Sequence, residues 1–132
     1  MPSDEMMTLA RAVMSRAYAP YSGFRVGAVL RGANGRLYAG CNVENAAYPQ
    51  GQCAEATAIG VMVAAGEKVI AEILVVHDGP ILAGPCGGCR QRLREFAGLD
   101  APVYLCWPDG LQRTLTLGEL LPLSFGPEQL TR

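Results

Sequence analysis

The chain has 132 residues, half of them apolar and 17% charged, and a formal net charge of −1. That length and composition fit one globular domain, residues 1–132, large enough to bury a core without disulfides. They exclude the basic footprint of a nucleic-acid binder, and no apolar run approaches the roughly 20 residues that cross a membrane. The acidic start MPSDEMM lacks the basic-then-apolar order of a secretory signal, so the expected location is the cytoplasm.

Residues 4–18 place Met6, Leu9, Ala10, Val13, Met14 and Ala17 at helical spacing, which predicts an amphipathic helix stopped by Pro20. FRVGAVL (24–30) and residues 36–41 read as strands, joined by a turn at Ala33-Asn34-Gly35. Residues 42–52 are polar and turn-rich and read as a loop. CAEATAIGVMVAAG (53–66) is apolar on every side, which predicts an interior helix with Gly66 as its C-terminal stop. AEILVV (71–76) reads as a buried strand, 77–85 as a loop and 86–97 as a second helix. Residues 103–106 and 111–117 read as strands around a turn at 108–110, 117–121 as a short helix, and the tail as irregular. Strands alternating with helices after an opening hairpin predict an α/β fold, with one mixed sheet of about five strands covered by helices.

Five cysteines are an odd number for a disulfide framework, and in a cytosolic chain they point to metal or reactive thiols. On the helix 86–97, Cys86, Cys89, Leu93, Phe96 and Ala97 share one stripe, and Arg90, Arg92, Arg94 and Glu95 lie largely elsewhere. Both cysteines then face the interior helix that begins with Cys53. Three sulfurs can therefore meet at two helix starts, where free N–H groups and the helix dipole favour thiolates. Three thiolates and one open position are a catalytic zinc pattern. Glu55, two residues from a ligand, is placed to take a proton from water at that position. Other readings stay open at this level. Cys86 and Cys89 alone could be a redox pair. Cys41 or Cys106 could close a structural zinc site, although both lie in strand patterns and fit small buried apolar residues better. Glu55 could merely favour the helix N-terminus, but a charge in an apolar helix is costly without a partner or metal. His77, a lone histidine at a strand end, is left out of the site.

CAE at 53–55 with PCxxC at 85–89 resembles the zinc nucleoside deaminases, with cysteine in place of histidine as first ligand. AYAPYSGFRVGA (17–28), GCNVENAAYPQGQCAE (40–55), PCGGCRQRLREF (85–96) and ELLPLSFGPEQL (119–130) resemble, in the same order, the small homotetrameric cytidine deaminases. The resemblance implies a three-layer α/β/α fold and one Zn²⁺ per subunit held by Cys53, Cys86 and Cys89. It implies a nucleoside substrate, cytidine or deoxycytidine, attacked at C4 by activated water. Glu55 would carry the water's proton to ring N3 and then help the amino group leave as ammonia. It further implies that Asn42 and Glu44 bind the ribose, that Phe24 packs near the base and that the backbone of Ala54 meets the pyrimidine edge. Tyr48 would help build a shared site, and Phe125 would reach a neighbouring subunit's pocket, so a homotetramer would be part of function.

One position departs from the family pattern. Members commonly carry arginine after CAE, where it offsets the excess negative charge of three thiolates; here the residue is Ala56. Arg90, Thr57 and the two helix N-termini are the expected substitutes. Two rivals accompany the deaminase reading: a deaminase of another ring, as in the blasticidin deaminases, and a non-catalytic zinc-stabilised domain.

Overall fold

The computed structural model describes residues 1–130. Helix α1 (Asp4–Met14) is followed by strands β1 (Val26–Gly32) and β2 (Leu37–Cys41), helix α2 (Ala54–Ala64) and strand β3 (Ile70–His77). Helix α3 (Gly87–Phe96), strands β4 (Pro102–Trp107) and β5 (Gly110–Thr116) and the short helix α4 (Leu117–Leu120) complete the order. The strands form one sheet in the order β2-β1-β3-β4-β5. The β3–β4 pair is parallel and the other neighbours are antiparallel. This is the mixed five-stranded sheet that the alternation of elements predicts.

Alternation along the central strands sorts the core into two layers. Ala28, Leu30, Ile73, Val75, Val103 and Leu105 pack with Ala58, Ile59 and Met62 of α2 and Leu93 of α3. Val29, Leu74, Val76, Tyr104 and Cys106 pack on the opposite face against Met6, Met7, Ala10 and Met14 of α1. The chain is therefore a three-layer α/β/α stack. Because α1 takes one face alone, α2 and α3 are neighbours on the other, and their N-termini can meet.

Two small residues in the first hairpin let the helices sit close. A β-carbon at Gly40 would lie 2.5 Å from the Ala58 amide nitrogen and 2.9 Å from the Ala54 carbonyl oxygen. On the other face, one at Gly27 would lie 2.6 Å from the Ala10 carbonyl oxygen. The α2 backbone thus rests directly on β2. At the far end of α2, Gly66 adopts φ 94°, the left-handed conformation that ends a helix after its C-cap, Ala65.

The structure differs from the sequence expectation in several places. Helix α1 stops at Met14 rather than 18, because the following backbone pairs elsewhere: the Tyr18 amide donates to Asn42 O, and its carbonyl accepts from Glu44 N. Strand β1 starts at Val26 rather than Phe24, because side chains take the Phe24 backbone. Its N–H donates to the Ser22 hydroxyl, and its carbonyl accepts from Asn42 Nδ2. Helix α2 is not interior on all sides: Ala54, Glu55, Ala58, Ile59 and Met62 are buried, while Gly60, Val61, Val63 and Ala64 are exposed. The tail, expected to be irregular, contains a 3-10 turn at Pro127–Gln129. It is fastened to α3: the buried guanidinium of Arg94 donates to Ser124 Oγ and to both carboxylate oxygens of Glu128, and Gln91 Nε2 donates to Phe125 O.

The Gly40 contact carries a prediction. Gly40→Ala must push α2 off the sheet against backbone atoms, at a cost of about 1–3 kcal/mol. Thermal unfolding is expected to show a lower Tm, and metal analysis a reduced zinc content, because the displaced helix carries Cys53 and Glu55.

Candidate active site

Both α2 and α3 begin on a cysteine. Cys53 is the N-cap of α2 and Cys86 the N-cap of α3, both in extended conformation, and neither sulfur caps its own helix. Each Sγ is therefore free to turn toward the other helix start, and the two stand 3.8 Å apart. Cys89, in the first turn of α3, adds the third sulfur, and all three lie within 4.8 Å of one another. Cys89 is buried and Cys86 is exposed at the rim, so only one of the α3 pair points into the interior.

The geometry separates the open readings. Zinc–sulfur bonds of about 2.3 Å in a tetrahedron set sulfurs roughly 3.8 Å apart, so the cluster has the dimensions of a three-thiolate zinc site with one position open. A redox pair has no use for a third sulfur at this distance. Cys41 and Cys106 are not fourth ligands. Cys106 packs in the α1 layer, and Cys41 pairs with Gly27 and by strand alternation faces that side too. Burial pushes the Cys106 thiol up to about 11, as befits an inert core thiol.

The electrostatics point the same way. Burial, and then the negative charges of Glu55 and Cys53, raise the Cys89 thiol far above its ordinary range. Burial also raises Cys53, with Cys86 and Glu55 opposing its ionisation as well. At Cys86, burial is outweighed by hydrogen bonds from the Cys89 backbone and the other two thiols, and the net shift is downward. Without a cation the cluster resists carrying three negative charges. Glu55 is 4% exposed, and burial raises its carboxyl, partly offset by hydrogen bonds to its own backbone and Cys89 and by the charge of Arg92. A buried carboxyl held up in this way binds a proton more readily than an exposed one, as a proton carrier requires.

A cleft of about 310 Å³ opens over the cluster. It is lined by Phe24, Asn42, Glu44, Ala54, Glu55 and His77 together with Cys53 and Cys86. Asn42 braces the Phe24 segment: Oδ1 accepts from Val26 N at 2.9 Å, and Nδ2 donates to Phe24 O at 2.8 Å. Glu44 accepts from the Ser22 hydroxyl and from the amides of Tyr21 and Ser22, which hold its carboxyl below the usual range. Tyr48 lies beside the cleft rather than in it, lining an adjoining hollow with Tyr21 and Asn45. Phe125 is half exposed on the outer side of α3, against Gln91 and Glu95, away from the cleft of its own chain.

Two residues join the site without a clear mark in the sequence. His77 is 2% exposed and stacks on Phe24 with ring centroids 5.0 Å apart. Its two ring nitrogens face the amides of Gly79 and Ala83, and burial lowers its pKa, so the ring is a neutral wall of the cleft. Arg92 falls outside the cysteine stripe by spacing, yet its Nη1 reaches back to within 3.8 Å of Cys89 Sγ. Separation by three residues on a helix, with side chains leaning toward the N-terminus, is the signal that could reveal it. Of the expected charge partners, the start of α3 contributes through the Cys89 backbone N–H, which lowers Cys86, but the two side chains act elsewhere. Arg90 donates to the carbonyls of Pro85 and Leu120, and the Thr57 hydroxyl donates to Cys53 O, so neither reaches a sulfur.

A three-layer α/β/α fold with three cysteines and a buried carboxylate at two helix starts defines the zinc-dependent deaminase class. Comparison with known proteins places the chain within it. The profile of the cytidine and deoxycytidylate deaminase zinc-binding region matches residues 2–106. The cytidine deaminase of Sporosarcina psychrophila is 39% identical over 133 residues, covering 99% of this chain and 96% of that protein. The cytidine deaminase of Mycobacterium tuberculosis is 40% identical over 121 residues, covering 88% of this chain and 84% of its own. The crystal structure of cytidine deaminase from Burkholderia pseudomallei superposes with a TM-score of 0.87 at 40% identity, covering 95% of this chain and all of that one. The chain belongs to the cytidine and deoxycytidylate deaminase family, and its cofactor is zinc.

If the cluster is the zinc site, cysteine substitutions will separate sharply. Cys89→Ser is expected to lose most of the bound zinc in metal analysis of purified protein. Cys41→Ser and Cys106→Ser are expected to keep one zinc per chain.

Proposed function

We propose that the chain hydrolyses cytidine and 2′-deoxycytidine to uridine and 2′-deoxyuridine with release of ammonia, as an enzyme of pyrimidine salvage. The observation that carries this reading is the buried, proton-poised Glu55 beside three sulfurs of zinc-site dimensions, in a chain 39% identical to a cytidine deaminase over nearly its whole length. Zinc, when bound by Cys53, Cys86 and Cys89, polarises water and brings its pKa toward neutrality. Glu55 would act as the proton carrier: its carboxylate takes one proton of the attacking water and delivers it to ring N3, then takes the remaining proton from the new hydroxyl on C4 and gives it to the amino group, which leaves as ammonia as the C4–N bond breaks.

The other cleft residues position the nucleoside. Phe24, backed by His77, offers its ring to the base, and the backbone of Ala54 meets the pyrimidine edge at the start of α2. Asn42 and Glu44 face the sugar. Glu44 has about four acceptor sites, of which the Tyr21 and Ser22 groups use three, so one remains for a ribose hydroxyl. The Asn42 carbonyl oxygen likewise keeps a lone pair beyond its bond to Val26. No helix among the described residues is long and apolar enough to cross a membrane. Three cysteines placed to hold a metal as thiolates and two as buried or half-buried thiols suit a reducing compartment, the cytoplasm.

The working unit is one catalytic domain assembled as a homotetramer with sites shared between subunits. An apolar helix belongs in an interior, and the exposed stripe of Gly60, Val61 and Ala64 on α2 gains one only against another copy. Tyr48 and Phe125, exposed and outside their own cleft, are placed to serve a neighbour's. Val61→Asp is expected to shift the sedimenting species from tetramer to monomer, with loss of turnover; an unchanged active tetramer would remove α2 from the interface.

Ultraviolet absorbance of cytidine tests the reaction. The native protein is expected to convert it, and Glu55→Gln to do so about 10²–10⁴-fold more slowly at equal zinc content. Conversion of blasticidin but not cytidine would redirect the substrate, and a fully active Glu55→Gln would sink the proton-carrier role.

A further inference from the structure

The zinc site carries more negative charge than its metal can offset. Three thiolates around Zn²⁺ leave a formal charge of about −1, and Glu55 adds another when ionised. A site so charged polarises water less than a neutral one does. Among the described residues, the side-chain cation within hydrogen-bond reach of a ligand sulfur is Arg92, with Nη1 3.8 Å from Cys89 Sγ. Its charge also acts on Glu55.

Four observations support this contact. Arg92 forms no ion pair with a carboxylate among the described residues, whereas Arg25, Arg31 and Arg94 each have an acidic partner. Its neighbour Arg90 is committed to two backbone carbonyls. Gly88, in the first turn of α3, leaves the guanidinium its path: a β-carbon there would lie 3.3 Å from Nη1. Ala56, on the facing helix, offers no side-chain donor.

We propose that Arg92 is a positioning residue of the metal centre, donating to Cys89 Sγ and drawing negative charge from the sulfur so that the metal stays electrophilic. This rests on the zinc reading of the cluster but not on the identity of the substrate. A donor to a metal-bound thiolate lowers the energy of the sulfur lone pair. Removing it therefore moves the sulfur-to-metal charge-transfer absorption of a cobalt-substituted site to lower energy.

The test compares native protein, Arg92→Met and Arg92→Lys, each loaded with cobalt for spectra and with zinc for kinetics. Arg92→Met keeps much of the length of the side chain without its charge. It is expected to fold with native Tm and bind one metal per chain, with the charge-transfer band at lower energy. Its kcat is expected to fall about 10–100-fold, the usual cost of losing a partner of a metal ligand, with KM changed less. Arg92→Lys, which keeps the charge but not the planar fork, is expected to fall between. A band and kcat equal to native in a metal-loaded Arg92→Met would overturn the proposal, as would a full loss in Arg92→Lys matching Arg92→Met. If the band shifts while native protein leaves cytidine untouched, the sulfur contact stands and the cytidine reading falls. If native protein deaminates cytidine but the band does not move on substitution, the cytidine reading stands and the sulfur contact falls.

Discussion

Three sulfurs and a carboxyl group held together at two helix starts cannot all ionise without a cation among them. Burial raises Cys53, Cys89 and Glu55, repulsion adds to it at the two thiols, and Cys86, at the exposed rim, shifts downward. A divalent ion reverses this balance, since it favours the thiolates that the bare cluster resists. The rest of the architecture brings these groups together. The sheet sets α2 and α3 on one face, β2 yields its side chain at Gly40 so that α2 can descend, and each helix opens on a cysteine whose sulfur is spared from capping.

Around that fixed floor, the walls are held by side chains that bond to backbone. Asn42 fastens the segment carrying Phe24, and Glu44 gathers the turn at Tyr21 and Ser22. These two residues therefore shape the cleft as well as facing it. Loop chemistry and sugar binding are compatible roles for Asn42, because its carbonyl oxygen retains capacity after the structural bond is made. The tail is tied to helix α3 through Arg94 and Gln91. The position of Phe125 is consequently coupled to the same element that supplies two sulfurs.

Much of the fold could be read from the sequence, because its signals are local. Helix and strand periodicities, the Gly66 stop and the turn at Asn34 place the elements within a few residues. The errors lie where tertiary bonds compete with local preference: Tyr18 leaves the helix to pair with the segment at 42–44, and Phe24 gives its backbone to Ser22 and Asn42. Spacing lets the three sulfurs meet at two helix starts but leaves a redox pair and a closed structural site open, since spacing gives no distance between elements. Arg92 and His77 could not be found the same way. A stripe pattern assigns a whole residue to one face, but an arginine's charged end lies several bonds from its Cα and here returns to the sulfur side. His77 matters through the ring it supports, and no pattern in the sequence marks that contact.

The proton-carrier role proposed for Glu55 sets two demands against each other. A more negative metal centre holds the Glu55 proton more tightly, which helps it receive one from water but hinders passing it to the base. The same charge weakens the metal's hold on the electrons of that water. A cation set at the sulfur rather than at the carboxylate relieves the second effect more than the first, because interaction energy falls with distance. The contact proposed for Arg92 with Cys89 has that placement, while burial is the largest influence on the proton affinity of Glu55 and the Arg92 charge a smaller, opposing one. On that proposal, α3 acts chiefly on the metal centre, and the packing of α2 on the sheet acts chiefly on the carboxyl group of Glu55.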